Sequence, residues 1–135
     1  MPRQLKDAQY SVTTALPNGA ATVASAGHDL DITTNADFQA GVELLIEAPA
    51  LATADLPDTE TMTYDVYHDT ASGFGSETLL AGSVIIQTGA SSAGDAAASV
   101  RVALPSDVKR YIRVKATNSG AGDASDKDMT TSLVF

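Results

Sequence analysis

Hydrophobic and polar residues alternate with period two wherever the chain has a pattern. Val42, Leu44, Ile46 and Ala48 share one face while Glu43 and Glu47 take the other, as a half-buried strand requires. Met62, Tyr64 and Val66 alternate in the same way with Thr63 and Asp65, and Tyr67 fits either side. Thr78 to Gln87 is dense in aliphatic residues (Leu79, Leu80, Val84, Ile85, Ile86), which predicts a central strand with a bulge near Gly82. Val100, Val102 and Leu104 alternate with Arg101 and Ala103. Ile112, Val114 and Ala116 alternate with Tyr111, Arg113 and Lys115, and the chain closes on Ser132-Leu133-Val134-Phe135. Weaker segments at 9–14, 20–24 and 30–33 bring the expectation to about eight or nine strands.

Turn chemistry separates them. Leu16-Pro17-Asn18-Gly19 fits a type I turn, and Pro49 and Pro105 each end a strand by removing a ladder donor. The stretches 49–61, 88–97 and 118–128 are small or polar and read as surface loops, with room for one helical turn at Leu51 to Leu56. Strands without intervening helices predict an all-β domain. Eight strands joined by long loops favour a jelly-roll-like antiparallel β-sandwich over an up-and-down barrel. An immunoglobulin-like sandwich is the structural alternative, without its Cys…Trp…Cys core. The expected organisation is a short N-terminal arm, residues 1–8, and a single sandwich domain, residues 9–135.

Composition narrows the function classes. The 135 residues are 44% hydrophobic, but 23 of those residues are alanine, so the core is adequate and lean. No stretch approaches the roughly 18 apolar residues of a membrane span, and residues 1–10 lack the apolar centre of a signal peptide, so a soluble, unprocessed chain is expected. Zero cysteines exclude disulfides, thiolate metal sites and a cysteine nucleophile. The net charge of −9 disfavours nucleic acid. Charge is also polarised along the chain: Asp7 to Asp95 holds 13 acidic and no basic residues, whereas Arg101 to Lys115 holds five basic residues against Asp107 alone.

Candidate chemistry is sparse. His28 and His68 are the two histidines. Ser25-Ala26-Gly27-His28-Asp29 gathers triad residue types in sequence, but a triad converges from separate elements, and His28 reads as a turn residue. His28, His68, Asp65 and Asp69 make a weak metal constellation, and the carboxylates of 118–128 do not follow the EF-hand spacing. Gly73-Phe74-Gly75 lacks the rest of a phosphate loop. Glu43 and Glu47 would lie roughly 13 Å apart along a strand, too far for a glycosidase pair. Arg110, Tyr111, Arg113 and Lys115 mix cations with an aromatic, and the bland account is an edge strand guarded by charge. No enzyme, metal or cofactor is expected.

The layout resembles a family. Leu104-Pro105, a short polar turn, Lys109-Arg110-Tyr111-Ile112-Arg113-Val114-Lys115-Ala116-Thr117, a Gly-rich loop and the closing Leu133-Val134-Phe135 are similar to the closing strands of the small jelly-roll cement, or decoration, proteins on tailed double-stranded DNA phage capsids, of the Bordetella phage cement-protein type. The arm Leu5-Lys6-Asp7-Ala8-Gln9, followed by small residues and Asp29-Leu30-Asp31-Ile32, is also similar. The resemblance implies a structural protein of the virion exterior, made in the host cytoplasm. It further implies a dimer or trimer seated on the major capsid protein lattice, without catalysis.

Arm residues Arg3, Leu5 and Lys6 are then candidates for ordering on a neighbouring subunit. Arg110 and Arg113 are candidates for a contact patch, facing carboxylates such as Glu43 and Glu47. The alternatives are a carbohydrate-binding or receptor-recognition module, using Tyr10, Tyr67, Phe74 or Tyr111 as a platform, and a head–tail or tail component.

Overall fold

The computed structural model describes residues 6–30 and 42–134, with backbone alone for residues 6–10. Nine strands follow in order: Lys6–Ala15 (β1), Thr22–Ala24 (β2), His28–Asp29 (β3), Glu43–Ala48 (β4), Thr61–Asp69 (β5), Thr78–Thr88 (β6), Ala98–Ala103 (β7), Tyr111–Asn118 (β8) and Asp128–Val134 (β9). One sheet has the order β1-β9-β4-β7. The other runs β2-β8-β5-β6, with β3 also paired to β8. Every pairing is antiparallel, and successive strands cross between the sheets except at β2–β3 and β5–β6. This is the jelly-roll sandwich that the alternation implied.

The core lies where the two alternating faces meet. Leu44 and Ile46 of β4, Met62, Tyr64 and Val66 of β5, Ile112 and Val114 of β8, and Met129 and Leu133 of β9 are fully buried. Removing one such side chain costs roughly 2–5 kcal/mol. Tyr64 keeps its hydroxyl inside by donating to Gln87 Oε1 at 2.9 Å, and burial pushes its pKa up. Gln87 in turn donates to the carbonyls of Pro49 (2.8 Å) and Ala96 (3.0 Å), tying two loops to the core.

Four sequence expectations are corrected. β6 is an edge strand, not a central one, because only β5 pairs with it; its bulge is real, with Ser83 at φ +52° and its N–H on Asp65 Oδ1 at 2.6 Å. β8 is interior, flanked by β5 and by β2 and β3, so its cations do not guard an edge. The segment Leu16–Gly19 does not close its own turn: the Gly19 N–H goes to Gly122 O and the Ala124 N–H to Pro17 O, so this loop pairs with the one before β9. His28 is a buried strand residue and not a turn residue. The helical turn at 51–56 is present, closed by the Leu56 N–H on Ala52 O at 2.9 Å.

The strand order gathers the connections into two ends. Loops 16–21, 49–60, 89–97 and 119–127 share one end, and the connections 70–77 and 104–110 share the other with the starts of β1 and β8.

Candidate functional site

The basic run Lys109 to Lys115 opens β8 and becomes a layer on the outer face of its sheet. Ile112, Val114 and Ala116 turn inward and are fully buried, so Tyr111, Arg113 and Lys115 must face out. Pairing of β5 with β8 sets Tyr67 opposite Arg113 and Asp65 opposite Lys115. The 70–77 connection then supplies Phe74 and Glu77.

Glu77 is the hub of the layer. Its Oε2 accepts from Arg113 Nε at 2.8 Å, and its Oε1 pairs with Lys115 Nζ. The Arg113 bond, reinforced by Lys115, holds the Glu77 carboxyl below the usual carboxylate range against the opposing effect of partial burial. Arg113 also lies 4.4 Å from the Phe74 ring centroid, and Lys115 lies 4.6 Å from that of Tyr67.

Phe74 sits at φ +52° with its ring buried against Gly27, where a Cβ would come within 2.6 Å of Phe74 Cε2. It meets Tyr111 edge-on at 6.5 Å and 72°. Arg110 completes the row, forked on Asp29 (Nε to Oδ1 2.8 Å, Nη2 to Oδ2 2.9 Å) and 5.1 Å from the Tyr111 ring.

Of the residues proposed from sequence, Arg110 and Arg113 therefore share one surface. Lys6 opens β1 opposite Val134, at the same end of the sandwich, so residues 6–8 of the expected arm run as strand backbone. Arg3 and Leu5 lie outside the described residues. Glu43 and Glu47 lie on the other sheet, diagonal to Arg101 across the β4–β7 pair, and among the described residues Glu77 meets Arg113 and Asp29 meets Arg110. Sequence reasoning missed Glu77, Asp29 and the Phe74 seat. Their pairings span 36 to 81 residues, and only the polarised charge hinted that acidic partners were needed. Of the proposed sugar platforms, Tyr67, Phe74 and Tyr111 each carry a cation of the chain itself.

The remaining polar candidates have structural partners. Ser25 Oγ accepts the Val114 N–H at 3.0 Å, standing in for a ladder bond where β2 gives way to β3. His28 Nε2 meets Thr131 Oγ1 at 2.8 Å between the sheets, and burial lowers its pKa to about 4. His68 accepts the Lys109 N–H on Nδ1 at 3.2 Å, and its pKa is lowered by burial and then by the Lys109 charge. Both histidines register against Ile112, one strand to either side, so the ladder separates them by about 10 Å. Asp69 accepts the N–H groups of Ser76 (2.9 Å), Thr70 (2.6 Å) and Ala71 (3.3 Å), and the Ser76 bond leads in lowering its pKa. Asn118 and Asp123, the start of the calcium-like run, bond to amides and carbonyls of their own loop. Among the described residues, no three metal-ligating side chains converge.

The cation–aromatic layer presents half-buried charges already oriented by Glu77 and Asp29. No protein-family model matches this chain, and no curated protein matches it either.

Proposed function

We propose that this protein is a structural component of a phage virion that binds the outer surface of the major capsid protein lattice and stabilises the head. The observation that carries the reading is the convergence at one end of the sandwich. β1 opens there at Lys6, directly after Leu5 in sequence, and the Arg110–Tyr111–Phe74–Arg113 layer lies at that same end. A surface of arginine and tyrosine groups, backed by the buried Phe74 ring and preorganised by Glu77 and Asp29, suits a protein surface better than a small ligand. The strand order and the sequence resemblance of the 104–135 region support the same reading. Many copies of a modest interface add up by avidity on a repeating shell. The role calls for binding and not for catalysis.

The first experiment is quantitative mass spectrometry on density-purified virions, comparing copies of this protein with copies of the major capsid protein. A simple ratio at hundreds of copies is expected. A dozen or fewer copies points to a head–tail or tail component, and absence overturns the proposal. The second removes residues 1–5, which spares β1: the truncated protein should keep its thermal stability and bind shells more weakly. Undiminished binding overturns the role of Arg3 and Leu5.

A further inference from the structure

We infer that β6 is the seam along which two copies of this chain join, edge to edge, about a two-fold axis between Gly82 and Ser83. The four sheet edges differ. β7 carries Arg101, and β2 is three residues long. β6 is 11 residues long and holds neither a charged residue nor a proline. Soluble proteins guard a long edge with charge, proline, bulges or shortness, because its unpaired amides and carbonyls invite another strand. β6 has instead two irregularities in its register with β5, one at Leu80 and one around Gly82–Ser83, and its two end segments are left without charge or proline.

The side chains specify the partner. Leu79 and Ile86, each 55% exposed, are the large exposed hydrophobic residues of the described chain, and both belong to β6. They register against Tyr67 and Thr63, and so share the outer face. Their midpoint falls between Gly82 and Ser83. Antiparallel pairing about that point sets Leu79 of one copy opposite Ile86 of the other, and the reverse, covering both pairs at once. Such spacing is self-complementary, the signature of a contact between identical surfaces. Charge bears on the choice of edge: two chains of net charge −9 repel over most of their surface, β6 itself holds no charge, and the Asp65 carboxylate beside the axis is engaged by the Ser83 N–H at 2.6 Å. One irregularity lies on the axis and the other at Leu80, so the ladder is carried by residues 78–79 of each copy against 86–87 of the other.

This pairing does not rest on the capsid reading, and its test contains no capsid. Native mass spectrometry at about 10 μM should find twice the 13.8 kDa chain mass for the wild type and a single chain mass for Leu79→Lys and Ile86→Lys, which alter exposed positions and keep the fold. Asp126→Asn, an exposed position far from the strip, should retain the double mass. The chain has no cysteine, so Leu79→Cys/Ile86→Cys tests the register: the double variant should form an intermolecular disulfide on mild oxidation, and each single variant should not. A wild type of one chain mass, a trimer, a dimer that survives both lysine variants, or a double variant that crosslinks no better than the singles overturns the inference.

Discussion

The two ends of the sandwich use carboxylates in opposite ways. At the end formed by loops 16–21, 49–60, 89–97 and 119–127, acids accept backbone amides. Asp55 takes the Ala52 N–H, Asp58 that of Ser92, Glu60 those of Ala121 and Gly122, and Asp95 those of Thr88 and Ala96. At the other end, Asp29 and Glu77 neutralise guanidinium and ammonium groups that lie on aromatic rings. Each end has an exception: Asp69 holds three amides of the 70–77 connection, and exposed Asp126 in the 119–127 loop pairs with Lys127 at 3.5 Å. Amide acceptors shape loops and depend little on salt. Ion pairs between separate strands position a surface, and salt screens them. One acidic chain thus builds a stitched end and a charged, preorganised end.

Four measurements would break or sharpen that contrast. The largest effect is expected at the stitched end from Gln87→Ala, which strands the carbonyls of Pro49 and Ala96 and the Tyr64 hydroxyl and opens a cavity. Thermal or urea unfolding should show a loss of roughly 3–4 kcal/mol.

At the charged end, His28 is next. Its folded pKa lies below its unfolded value, so the unfolded chain binds the extra proton. Stability is full above about pH 6.5 and is lost as pH falls through 6.5 toward about 4. The loss should approach about 3 kcal/mol by pH 4, and His28→Gln should flatten this slope. Glu77 and Asp69 also have lowered pKa values, so their contributions persist to lower pH and disappear only as they protonate.

Third is Gly94→Ala. Gly94 has φ +67°, and a Cβ there would come within 1.9 Å of Leu51 O, so a loss of roughly 2–3 kcal/mol is expected by thermal unfolding. The smallest effect is Glu77→Gln, which leaves Arg113 and Lys115 side by side without their carboxylate. The loss should be about 1 kcal/mol at low salt and should shrink toward zero in 1 M salt. Asp95→Asn, at the stitched end, should unfold with the salt dependence of the wild type. If the two substitutions respond alike to salt, the contrast between the ends fails.

Much of this was legible in the chain. Strict alternation in 42–48, 62–67 and 111–116 identified inward faces correctly, because a pleated strand with one wet side leaves no other arrangement for such residues. The same signal could not tell a central strand from an edge. β6 is rich in aliphatic residues yet lies at an edge, and β8 is charged yet interior, since alternation reports faces and not neighbours. The site was half visible: Arg110 and Arg113 stood out as cations in an acidic chain, while Glu77, Asp29 and Phe74 carried no local mark.

By itself, then, the sequence determined the fold class, the inward faces, the loop-rich joints and the two basic residues of the candidate surface. All follow from local spacing, where the side-chain period is a property of the backbone. Only the tertiary structure decided which strands lie at edges, that Leu16–Gly19 pairs with the 122–124 segment, that Gln87 ties loops 49–60 and 89–97 to the core, and that Glu77 bridges Arg113 and Lys115. Those outcomes depend on contacts between residues far apart in the chain, whose partners are chosen by sheet order and register and leave no periodic trace in sequence.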